Sequence, residues 1–200
     1  MPFVRAMMLS AAVLVSLAVN AACGEPTPVV ERLHTTLIEV MKEAQHLNID
    51  ARYDKLKPVL EDSFDFERMI SAAAGSYWTG ADPQDRQRLL DAFVRLSVMT
   101  YAARFNGFSG ERFETLGERP GPRNTKLVDT RLIRTDADPV SITYVLAESN
   151  NNWRIVDVLL DRSISELAVR RSEYNTILRK GGINELAATL DSKAAQIREG

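Results

Sequence analysis

Apolar residues in the first part of the chain recur every three or four positions. Val30, Leu33, Leu37, Val40, Met41 and Ala44 form one such stripe, and Pro28 suits the first turn of the helix it predicts. A second helix is predicted from about 51 to 60, with Tyr53, Leu56 and Leu60 on one face. Asp65 reads as the N-cap of a third, in which Phe66, Met69, Ile70 and Ala73 share a face. Gly75 and Gly80 break the chain around Tyr77-Trp78. Asp82 then caps a long helix with Pro83 in its first turn, and Leu89, Phe93, Leu96, Thr100 and Ala103 line one side. That helix should end near Phe105-Asn106-Gly107.

The period then changes to two. Residues 112–116, 125–133, 140–148 and 153–160 read as four strands. In the third, Val140, Ile142, Tyr144 and Leu146 alternate with Ser141, Thr143, Val145 and Ala147. Asn150, Asn151 and Asn152 form the last hairpin turn, so neighbouring strands are expected to be antiparallel. Helical spacing returns after Ser163 or Ser165, as a helix that stops at Gly181-Gly182 and a last one from 184 to about 197. The order predicts an α+β fold: a helical layer packed on a twisted four-stranded antiparallel sheet.

With 45% apolar and 26% charged residues, the 200-residue chain has the makings of one domain. Its formal charge of −2 argues against nucleic acid as a partner. Arg5, an apolar run over 6–19 and the small residues Ala21, Ala22 and Gly24 read as a cleavable secretory signal over 1–23. The run is short for a membrane span, and an uncleaved anchor is the alternative. The domain proper is expected over 24–200, exported to the periplasm. Cys23 is the only cysteine, which leaves no internal disulfide. Ala22-Cys23-Gly24 is like a lipoprotein cleavage site, but Asn20 stands where an apolar residue is expected, so simple cleavage is favoured.

Catalytic sets are sparse. His34 and His46 are twelve residues apart, too far to pair on a helix, and both read as solvated. No phosphate loop, dinucleotide fingerprint or metalloprotease motif occurs in the sequence. No cofactor and no metal is expected. By period two Asp157 and Asp161 share a strand face with Trp153, Ile155 and Leu159, and read as ion-paired or capping groups before acids or bases. Of the adjacent Arg170 and Arg171, one is expected inward. A salt bridge with Glu166, Asp157 or Asp161 is the expected use, and a lipid phosphate the functional alternative.

Several segments resemble one family in order along the chain. They are Phe64-Asp65-Phe66-Glu67-Arg68-Met69, Ala74-Gly75-Ser76-Tyr77-Trp78, Phe93, Tyr101, Trp153-Arg154-Ile155-Val156-Asp157-Val158 and Ile177-Leu178-Arg179-Lys180-Gly181-Gly182. The set resembles the MlaC, or toluene-tolerance, family of periplasmic lipid-binding proteins. The stretch from Ile164 to Tyr174 is closer to the hopanoid-associated HpnM branch. Asp161-Arg162-Ser163 departs from the family, which usually has a glycine there, and Ala168-Val169-Arg170 replaces an asparagine-tyrosine-arginine run.

The resemblance implies a carrier without enzymatic turnover. An apolar pocket between helices and sheet would hold the hydrocarbon part of a phospholipid or hopanoid. Its partners would be an inner-membrane ABC transporter complex and an outer-membrane component, with transient membrane contact and a monomeric chain. Candidate lipid contacts are Phe66, Met69, Ile70, Phe93, Leu96, Tyr101, Tyr144, Val145, Val156, Val158 and Ile177, with Arg171 for a phosphate. Both alternate sets of the last strand contain apolar residues, so the sheet face that looks inward stays open. A lipid- or hopanoid-modifying enzyme is the competing expectation, and an anchored scaffold a third.

Overall fold

The computed structural model describes residues 25–150 and 152–200. The expected signal segment and Cys23 lie outside the described residues. Helices α1 (Pro26–Glu43), α2 (Ile49–Ser63), α3 (Phe66–Ala74), α4 (Ser76–Gly80) and α5 (Pro83–Arg104) come first. Strands β1 (Arg112–Pro120), β2 (Lys126–Ile133), β3 (Val140–Ser149) and β4 (Asn152–Leu160) follow, then a two-residue β5 (Ile164–Ser165) and the long α6 (Glu166–Glu199). The strands form one antiparallel sheet in sequence order. The sheet therefore has five strands and not the expected four. β5 is too short to show a period, and it exists because the turn after Leu160 folds straight back. No helix among the described residues is long and apolar enough to cross a membrane.

The helix starts follow capping chemistry. Asp65 and Asp82 accept the amide hydrogens of Arg68 and Asp85, as expected. Asn48 does the same for Ala51, at 2.8 Å, and starts α2 two residues earlier than its apolar spacing shows. Asp82→Ala removes the cap of the longest uninterrupted helix, and a loss of about 1 kcal/mol in denaturant unfolding is expected. An unchanged midpoint would show that the cap is idle.

The helical layer is stitched to the sheet at the α2–α3 junction. Phe64 bridges Ile155 in parallel, and the Asp65 N–H donates to the Ile155 carbonyl at 2.9 Å. The core between the layers includes Leu33, Leu37, Leu60, Ile70, Phe93, Val128, Leu146 and Ile155.

A bulge in β4 settles which sheet face looks inward. Leu146 pairs with Ile155, yet Val145 pairs with Asp157, so Val156 is an extra residue. Strict alternation fails there. Ile155 and Val158 both join Tyr144 and Leu146 on the helix side, while Asp157 and Val145 fall on the other. The expected sharing of one face by Asp157, Trp153 and Ile155 is thereby corrected: the bulge puts Asp157 on the face opposite to the other two.

Candidate functional site

Between the helices and one end of the sheet lies a cavity of about 590 Å³. Phe66 and Met69 reach it from α3, Phe93 and Tyr101 from α5, Tyr144 from β3 and Val158 from β4. These six were among the sequence candidates. Phe64, Phe105, Leu132, Ile142, Leu160 and Leu167 complete much of the apolar wall. Aromatic rings fix its shape: Phe66 meets Phe93 edge-on at 5.9 Å, and Tyr101 stacks on Phe105 at 5.7 Å.

The other sequence candidates lie elsewhere. Ile70 is fully buried in the core and does not line the cavity. Leu96 lines a separate groove between α5 and α6. Ile177 packs half-buried against the core, Val156 occupies the bulge, and Val145 is on the opposite sheet face. Arg171 is exposed; Arg170 takes the inward position. Helical phase explains the choice, because Arg170 stands one turn before buried Tyr174.

Arg170 does not make the expected ion pair among the described residues. Its guanidinium lies 6.0 Å from the Phe93 ring centre and donates to the Tyr174 hydroxyl at 3.3 Å. Glu166 lines the same cavity but makes no ion pair with Arg170, whose guanidinium keeps spare donors for an anionic ligand. Asp157, by contrast, is occupied. It accepts from the Ser165 hydroxyl at 2.6 Å and the Leu167 N–H at 3.1 Å, fastening the start of α6. The turn before β5 has both Asp161 and Arg162 at positive φ, 48° and 66°. A conformation suited to glycine is thus kept where this chain has none.

His34 is not solvated. It is 5% exposed, stacks on Phe113 with centroids 3.8 Å apart, and shares a 3.0 Å hydrogen bond between Nε2 and the Tyr144 hydroxyl. Burial lowers its pKa to about 3, so the imidazole is neutral. Burial also raises the Tyr144 phenol well above its usual value and pushes Tyr101 up to about 12. Both cavity phenols therefore stay uncharged at neutral pH. His46 is exposed, as expected.

A solved phospholipid-binding protein from Ralstonia solanacearum, in complex with a phospholipid, is similar to this chain with a TM-score of 0.75. It shares 19% sequence identity, and the match covers 87% of this chain and 99% of that one. The likeness is one of fold. Residues 31–192 match the family model described as MlaC protein. The match runs from α1 into α6, and the chain belongs to the MlaC family.

Proposed function

We propose that the protein is a periplasmic carrier that takes the hydrocarbon part of a membrane lipid into the cavity and moves it across water between membranes. The carrying observation is the cavity itself: aromatic and aliphatic walls, phenols held neutral, and Arg170 in its lining. A lipid tail exposed to water costs about 0.8 kcal/mol for each methylene, so a dry cavity removes a large barrier to transfer. The relative's bound phospholipid and the family match support this reading. A phospholipid is the proposed cargo, with a hopanoid the second cargo on resemblance to the HpnM branch. An ABC transporter complex in the inner membrane and an outer-membrane component are the proposed partners.

The test is lipid transfer between donor and acceptor vesicles separated by buffer. Protein should accelerate exchange of labelled phospholipid in proportion to its concentration. No acceleration, or chemical conversion of the lipid tracked by mass, would refute the carrier.

Arg170→Ala should weaken phospholipid binding by about 1.5–3 kcal/mol, the range for a hydrogen bond to a charged group. Binding of a lipid without phosphate should change little. Arg171→Ala, outside the cavity, should alter neither. Equal losses in both variants, measured by titration of delipidated protein, would remove the phosphate role.

A further inference from the structure

The groove between α5 and α6 is polar where the cavity is apolar. Thr100 and Arg104 enter it from α5, Glu166, Arg170 and Glu173 from the first half of α6, and Lys193 from the second. Thr100, Arg104, Glu166 and Arg170 also line the cavity, so the two spaces meet at those four side chains. Glu173 and Lys193 line the groove alone, and their charges offset one another.

Helical phase builds the junction. Thr100 and Arg104 stand one turn apart on α5, as Glu166 and Arg170 do on α6. The charges gather around one phenol. Burial has the largest effect on the Tyr101 pKa and raises it, Arg104 and Arg170 pull it down, and Glu166 pushes it up. Yet among the described residues Arg104, Glu166 and Arg170 make no ion pair. Lys57 and Glu61, with the same one-turn spacing on α2, do pair, at 2.6 Å. Arg170 instead turns its guanidinium to the Phe93 ring and the Tyr174 hydroxyl. The half-buried Glu166 carboxylate is thus left at the edge of an apolar cavity with its charge unanswered.

A phosphate alone answers the two guanidiniums and meets Glu166 as a like charge. A head group that carries an ammonium beyond its phosphate answers all three. We propose that this junction is a head-group site selective for a phospholipid with an ammonium head, in which Arg104 and Arg170 hold the phosphate and Glu166 accepts from the ammonium. Glu166 is then the residue that determines specificity. The proposal rests on the lipid-carrier reading above. It adds a choice among head groups that hydrocarbon burial cannot make, because burial scales with apolar area whatever the head.

The test titrates delipidated protein with phosphatidylethanolamine, its N-acetyl derivative and phosphatidylglycerol, all with the same acyl chains. Native mass spectrometry reads occupancy. Acetylation removes the ammonium charge and keeps the rest of the lipid. The parent should favour phosphatidylethanolamine over the other two about tenfold, the scale of one hydrogen bond to a charged group. Glu166→Gln, nearly isosteric, should erase that preference, and Glu166→Lys should reverse it towards phosphatidylglycerol. Equal affinity of the parent for all three lipids would overturn the head-group site and leave the carrier standing. Equal weakening of all three by Glu166→Gln would assign the residue to the start of α6 alone and overturn its role in selection. Glycerophosphoethanolamine, the head without chains, should compete far more weakly than the lipid. Competition as strong as the lipid's would make the junction a site for a soluble phosphoamine and overturn the proposal. If no lipid binds, the carrier reading falls and the head-group site with it.

Discussion

Val158→Trp should empty the protein of lipid while leaving it folded. Val158 is half-buried on the inward face of β4, opposite Tyr144 in the β3 pairing, and its side chain lines the cavity. An indole there grows into open space and not into a packed core. The usual overpacking cost of about 1–3 kcal/mol is therefore an upper figure for this site. Lipid, however, loses the volume that accepts its chain, and methylenes excluded at about 0.8 kcal/mol each soon exceed any retained contact. Retention after purification should fall by at least tenfold, with a far-ultraviolet spectrum and unfolding midpoint close to those of the parent. Val145→Trp, on the opposite face of the same sheet, should keep its lipid. Full occupancy in a well-folded Val158→Trp protein would mean that the chain lies elsewhere.

Acidification should destabilise the protein through His34. The folded state holds the imidazole neutral, with a pKa lowered from 6.5 to about 3 because it is buried. The unfolded chain protonates it near 6.5. Between those values the unfolded state binds more protons, so stability rises with pH. The contribution is complete above about pH 6.5 and is lost as pH falls towards 3. At pH 5 the loss is about 2 kcal/mol, from roughly 1.5 pH units at 1.36 kcal/mol each. His34→Gln keeps a polar partner for Tyr144 but cannot titrate. It should begin less stable at neutral pH, because the stacking on Phe113 goes, and then lose less than the parent between pH 7.5 and pH 5. Parallel loss in the two proteins, by urea titration at both pH values, would show that His34 is not the group responsible.

Much of the helical layer was legible because capping and apolar spacing agree there. Asp65 and Asp82 are caps in sequence and in structure, and Phe66, Met69 and Phe93 face the cavity as their spacing implies. β3 was equally readable, since Tyr144 and Leu146 hold one face through an unbroken alternation. β4 was not. Its bulge at Val156 changes which residues face inward, and the apolar pair Ile155-Val156 between Arg154 and Asp157 does not mark which residue is extra. Helical phase places two residues that residue type alone does not. His34 falls four residues after Val30 and seven before Met41, inside the buried stripe of α1, so helical phase placed it in the core. Arg170 likewise shares phase with buried Tyr174, which favours it over Arg171. The cavity residues of the loop after α5, Phe105 and Phe108 among them, have no period to betray them.

The central claim is that a hydrocarbon chain occupies the cavity bounded by Phe66, Phe93, Tyr144 and Val158. Native mass spectrometry of delipidated protein, incubated with phospholipid vesicles and recovered by size exclusion, tests it most directly when parent and Val158→Trp are run side by side. The account predicts a lipid-mass adduct on the parent and little or none on the folded variant. An adduct of equal intensity on both, or on neither, would contradict it.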